Sequence, residues 1–406
     1  MRKTAAIILI SIITGIPAFA WNNDVNIHGF ISQGFLQTDT NNYIADAEDG
    51  TFQFNEIGLN FITSPMDKLL IGVQFFARDF GDLDNDNIIL DWAFADYRFF
   101  DWFGLRAEKI KNPSGFYSDV RDVDMLRTFI TLPNSVYDEN LRETAMDIQG
   151  AGLYGDINTE NYGSLSYQIL TGTNNLPKDG GTSRYISSGR FDVSDIEMDT
   201  TWSFAGIYAD PTGHVRLGVS GYFSDINLNG TSTDKLMVQG PPLAGYPSDF
   251  NIADIEYLVA SFEFIWESLI FSCEYVIMNS KSTITLNGLP APFQAALNGN
   301  SVSYDARRLG YYGSLSYRIN DHFELGYYYS EMHNDRDGSN ELIHDYMAWH
   351  KESAFALRVD LNRHWIVKLE THYIDGGTKL PKVLNPIEHD IDQYWWMYMA
   401  KVSYTF

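Results

Sequence analysis

Cysteine is nearly absent from this chain. Cys273 is the one such residue in 406, so no internal disulfide can form, and neither a small stapled scaffold nor a Cys/His zinc site is available. Basic residues are scarce too: 28 Lys and Arg stand against 53 Asp and Glu, a formal charge of −25 that repels nucleic acid and excludes it as a partner. After the N-terminal segment no stretch approaches the ~18 uninterrupted apolar residues of a spanning helix. Rings are what the sequence has in quantity, with 25 Tyr, 26 Phe and 9 Trp in a chain whose mean hydropathy is only −0.21. That content excludes a disordered chain, and rings without general greasiness disfavour a bundle of membrane helices.

The segment Met1–Ala20 has the three parts of an export leader: Arg2 and Lys3, the apolar run Ala5–Ile13, and the small-x-small close Ala18-Phe19-Ala20. The apolar part is too short to span a membrane comfortably and no stop-transfer charges follow, so cleavage after Ala20 is expected rather than anchoring. No cysteine near that point offers a lipid attachment. Residues 21–406 then form one domain.

That domain repeats a single pattern, about ten residues alternating apolar with polar or small and then a turn or a long polar loop. Leu69, Ile71, Val73, Phe75 and Ala77 share one face, with Gln74 and Arg78 opposite; Trp365, Val367, Leu369 and Tyr373 oppose Lys368, Glu370 and His372; Leu269, Phe271, Cys273, Tyr275 and Ile277 oppose Ser272 and Glu274. Period two predicts strands. Short turns at 64–68, 100–102, 156–161, 209–214, 266–268, 320–322 and 362–364 alternate with longer segments at 37–50, 81–87, 110–143, 173–200, 225–253, 279–306, 332–352 and 375–392. This predicts an all-β chain: a transmembrane antiparallel β-barrel of about sixteen strands, with short periplasmic turns and long extracellular loops. A soluble sandwich also alternates, but rings gather at the strand ends here, and Arg78, Arg106, Glu108, Arg216, Glu274, Arg318, Arg358, Asp360, Lys368 and Glu370 stand on the opposite faces. Such charges are costly in a dry core and cheap in a wet lumen.

Trp396, Tyr398, Ala400, Val402, Tyr404 and Phe406 line one face of a last strand that ends on a ring. This resembles the C-terminal signal of outer-membrane barrel proteins and implies the barrel-insertion machinery as a partner through Phe406. The stretch Leu105 to Tyr137, LRAEKIKNPSGFYSDVRDVDMLRTFITLPNSVY, resembles a segment of Gram-negative porins related to the phosphate-selective porins. Lys109, Lys111, Pro113, Gly115, Tyr117, Arg121, Asp122, Leu132, Pro133, Ser135 and Tyr137 carry that resemblance, and Lys368 to His372 resembles a late strand of the same proteins. Glu108 departs from it, standing where a small residue is expected, and no repeated ladder of lysine or arginine is present. The resemblance implies a homotrimer.

A barrel of this size encloses water, and whatever narrows it sets selectivity. The segment 110–143 is long and stiffened by Pro113, Gly115 and Pro133, which predicts a constriction folded inward. Two readings of its charges are open. In one, Lys109, Lys111, Arg121 and Arg127 face the pathway with Arg78 and Arg106, while Glu274, Lys368 and Glu370 line the far side, giving an anion-leaning channel for passive diffusion of small hydrophilic solutes or ions. In the other, these bases neutralise Asp119, Asp122 and Asp124 and fasten the loop to the wall. A surface adhesin or receptor is the alternative function.

Asp82 to Asn87 looks like the start of a calcium loop, but Asn87 replaces the required Gly and Ala93 the required Glu; it reads as a solvated acidic tip, or as loose divalent bridging to lipopolysaccharide, which with outer-membrane lipid is an expected neighbour. His344-Asp345 and His389-Asp390 are adjacent residues that would point to opposite faces of a strand, so neither is a ready dyad. No G-x-S-x-G or Gly-rich phosphate cradle occurs. The sequence predicts no catalytic residue, no resident metal and no cofactor, in a protein of the bacterial outer membrane.

Overall fold

The computed structural model describes residues 24–81, 87–187, 190–233, 236, 243–291, 294, 300–337, 345–382, 384–385 and 391–406. The leader, the tip residues 82–86, His344 and the pair His389-Asp390 lie outside these. Sixteen strands follow one another in the chain: β1 (Val25–Thr38), β2 (Asn55–Met66), β3 (Leu69–Asp79), β4 (Ile89–Phe100), β5 (Phe103–Lys111), β6 (Asp147–Thr159), β7 (Gly163–Asn175) and β8 (Phe191–Ala209) make one half. The other half is β9 (Val215–Ser232), β10 (Pro247–Trp266), β11 (Leu269–Leu286), β12 (Ser301–Arg318), β13 (Phe323–Asp337), β14 (Trp349–Asp360), β15 (Trp365–Asp375) and β16 (Tyr394–Thr405). Each pairs antiparallel with its neighbours, and β16 pairs with β1 to close the barrel. Phe406 completes the seam by exchanging backbone hydrogen bonds with Gly29 at 3.1 and 3.0 Å.

The faces sort as the alternation predicts. Leu369, Leu315, Val219, Ile169 and Phe355 point out of the barrel and are exposed, forming an apolar belt. Phe100, Trp102, Trp266, Tyr317 and Trp365 ring its short-turn side, and Trp202, Tyr275, Tyr311, Tyr373 and Trp396 its long-loop side. This is the girdled exterior of a membrane barrel. Lys368, Glu370, His372, Glu274 and Lys401 point inward and are buried.

Two departures from the sequence reading have local causes. Strands β8–β12 are 18 to 20 residues long, about twice the 9–11 that cross a bilayer, so they continue into segments expected to be loops. Above the belt the alternation changes sense: the inner face is apolar, with Phe191, Met198, Ile226, Leu228, Phe250 and Leu286 buried, while the outer face is polar and carries Thr283–Ser303 and Thr285–Ser301 hydroxyl pairs at 2.9 Å. The second departure is in β4, whose phase alternation alone leaves open. Asp91 is an extra residue where Gln74 pairs with Trp92 and Phe75 with Leu90; this bulge turns Trp92 and Phe94 inward.

Candidate channel and its constriction

The segment 112–146, between β5 and β6, folds into the lumen and is fastened to most of its circumference. Apolar contact starts this: Leu132, Val136 and Tyr137 pack against Tyr222, Tyr257, Val276 and Tyr312 on the inner face of the tall wall. Hydrogen bonds then fix the register. The Gly115 N–H donates to Ser220 on β9 at 2.8 Å, and the Phe116 N–H to Glu274 on β11 at 2.8 Å. Glu274 also accepts from the hydroxyls of Tyr137 at 2.5 Å, Tyr312 at 2.9 Å and Ser261 at 2.5 Å. On the opposite arc, Arg358 of β14 donates to the Met125 and Arg127 carbonyls at 2.9 and 3.0 Å, Lys368 of β15 to the Phe129 carbonyl at 3.0 Å, and the Ile130 N–H donates to Glu370 at 2.6 Å. Asp124 accepts from Lys401 of β16 at 2.9 Å and from the Ser403 hydroxyl at 2.7 Å.

The third side is ionic. Glu139 lies 3.2 Å from Arg78 of β3 and 2.7 Å from Arg121, while Asp122 takes Lys111 at 2.5 Å and Arg142. Burial pushes the Glu139 carboxyl up, but Arg121, Arg142 and Arg78 together outweigh that and hold it at about 2. Burial likewise opposes ionisation of Asp122, and Arg142 and Lys111 win, keeping it far below the carboxylate range. Hydrogen bonds to charged groups are each worth ~1.5–3 kcal/mol, and a buried charge left without its partner costs several kcal/mol, so the loop is held in one arrangement.

The expected site residues therefore fall into four groups. Arg78, Lys111, Arg121 and Arg127 do meet the loop, but each is committed to a carboxylate, Arg127 to Asp124 at 2.9 Å. Glu274, Lys368 and Glu370 are on the lumen side as expected, but they are anchors for loop backbone and hydroxyls, not an opposing charged wall. Lys109 pairs across Ala93 and Gln149 in the outward row, and its amine goes to the Leu90 carbonyl at 2.5 Å and to Asp147 at 3.3 Å, so it does not join the pathway. Arg106 does face the lumen and is partly open to it, its side chain 31% exposed, with Asp96 at 2.7 Å. The expected surplus of free positive charge thus does not arise, because the loop supplies an acid for nearly every base.

The loop leaves part of the inner face of β4–β7 uncovered, while Asp91, Ile110, Ile148, Leu170 and Asn174 of that wall are buried. Trp92, Phe94, Arg106, Tyr154 and Gln168 project into the uncovered part, all partly accessible. From the loop side Asp119 is exposed, and it makes no hydrogen bond or ion pair among the described residues. Although water reaches it, protein surrounds it; that enclosure raises its carboxyl above the ordinary value, with Lys111 and Arg106 pulling it back. One of the two sequence readings has Asp119, Asp122 and Asp124 all neutralised, and nothing in their spacing distinguishes Asp119 from the other two.

This barrel is similar throughout to solved structures of outer-membrane proteins. OmpT of Vibrio cholerae matches with a TM-score of 0.56 at 10% identity over 96% of this chain and 99% of that one. OmpF of Salmonella typhi matches at 0.54 and 10% identity over 96% and 100%, and the outer-membrane channel DcaP of Acinetobacter baumannii at 0.53 and 11% over 96% and 100%. No family model and no curated protein matches the sequence. At such identities the likeness is one of fold: a closed, sixteen-stranded antiparallel barrel of the outer-membrane kind.

Proposed function

We propose that this chain is an outer-membrane channel through which small hydrophilic solutes diffuse passively. The observation that carries the reading is the placement of 112–146, pinned across one part of the lumen by satisfied charges while Asp119 faces the open strip at Arg106. A loop held this way narrows a wet path without closing it, and the unpaired carboxylate and part-exposed guanidinium set a transverse field there. With its other bases neutralised, the path is weakly selective, not anion-leaning, and phosphate selectivity is not part of this reading. Homotrimeric assembly, as in the trimer form of Vibrio cholerae OmpT (TM-score 0.52, 10% identity), accompanies it. Purified protein in planar lipid bilayers tests it: stepwise conductance is expected, with Asp119→Asn moving the reversal potential in a KCl gradient toward anions. Absence of conductance overturns the reading.

A further inference from the structure

Resting on the channel reading, we infer that the uncovered strip of β4–β6 is a binding track for uncharged polyhydroxylated solutes, that is, sugars. The track is built from consecutive inward positions. Trp92, Phe94, Asp96 and Arg98 alternate down β4, a run of ~20 Å at the rise of a strand. Trp92 and Phe94 stack with ring centres 5.3 Å apart. Arg106 on β5 lies between two rings, its guanidinium 4.9 Å from the centre of Phe94 and 5.0 Å from that of Tyr154 on β6, and Arg98 lies 5.3 Å from the other reach of Tyr154. Trp92, Phe94, Arg106, Tyr154 and Arg98 therefore form one continuous ladder of flat groups facing water.

Glycine makes room for the rings. A β-carbon at Gly72 would stand 2.9 Å from Trp92 and 3.0 Å from Phe94, and one at Gly104 would stand 2.5 Å from Tyr154. Both positions share the inner face, so the wall is hollowed under each ring and the rings lie along it. Half-buried rings in a channel carry a cost in exposed apolar surface that charged or small residues would avoid; a solute with an apolar face recovers it.

Charge decides which solute. Arg106 is paired with Asp96 at 2.7 Å and Arg98 with Asp156 at 2.9 Å, so the strip presents donors and acceptors with its charge cancelled. An anion entering the strip meets Asp119 across from it, and the strip itself, with both guanidinium groups paired, offers no uncompensated charge to hold an ion. A sugar has what matches both surfaces: the C–H face of its ring stacks on the aromatic groups, and its hydroxyls bond the carboxylate and guanidinium edges.

The test is block of single-channel current in planar bilayers by maltotriose added to one side, compared with equimolar sodium benzoate. Concentration-dependent block by maltotriose is expected. Trp92→Ala and Tyr154→Ala each weaken it by about three- to tenfold, that is by ~0.7–1.4 kcal/mol, the size of a ring contact. Trp92→Phe keeps most of it, and Tyr162→Ala, in an exposed turn, changes nothing. Folding of each variant is read independently from its conductance and its heat-shifted gel mobility. A conducting wild type that maltotriose does not block, or blocks equally in all variants, overturns the sugar track and leaves the channel standing, as does block by benzoate alone. A wild type that does not conduct overturns both.

Discussion

Glu274 shows how a single side chain commits the lumen. Its two oxygens receive the Phe116 N–H and three hydroxyls, all within 2.9 Å, from strands β10 and β12 and two parts of the loop. Glu274→Ala orphans these donors in a buried place, and at ~1–3 kcal/mol for each unsatisfied group the folded barrel should lose heat resistance, read as a lower temperature for its gel-mobility shift. Glu108 is the opposite case. Its φ of +100° is a region that suits glycine, which accounts for a small residue being expected at that place. Glu108→Gly is expected to stabilise by about 1 kcal/mol, seen as a raised midpoint in urea unfolding from detergent.

Among the elements, the strands were legible and the loop's loyalties were not. Period two follows from a wall with lipid on one side and water on the other, so β3, β11, β15 and β16 can be phased from their alternation alone. In β4 one bulged residue, Asp91, reverses the phase, and a bulge leaves no periodic mark. Inward folding of the 110–143 segment was legible from its length and its prolines. Which acid meets which base was not, because Arg78, Arg121 and Glu139 come together only through the path of the loop in space. That clamp has a pH signature. Glu139 goes from an ordinary value of 4.5 in the unfolded chain to about 2 when folded, so its contribution is complete above pH ~4.5 and is lost as pH falls through 2. Open-channel current noise should stay level down to pH 4.5 and rise below it; noise that rises instead toward alkaline pH would place the clamp elsewhere.

For the whole molecule, the two halves of the barrel do different work. The tall wall β8–β12 buries a large apolar cluster with the loop and shares its anchoring with β3 and β14–β16, whereas the proposed path runs along the uncovered part of β4–β7. The claim on which this account depends is that Asp119 lies in a continuous water path. Its most direct measurement is the current through Asp119→Cys, made in a Cys273→Ser background, during exposure to a membrane-impermeant, positively charged methanethiosulfonate. The account predicts a stepwise change in open-channel current, with a shift of reversal potential toward anions, and no response in Cys273→Ser alone; conducting channels whose Asp119→Cys current the reagent leaves unchanged would contradict it.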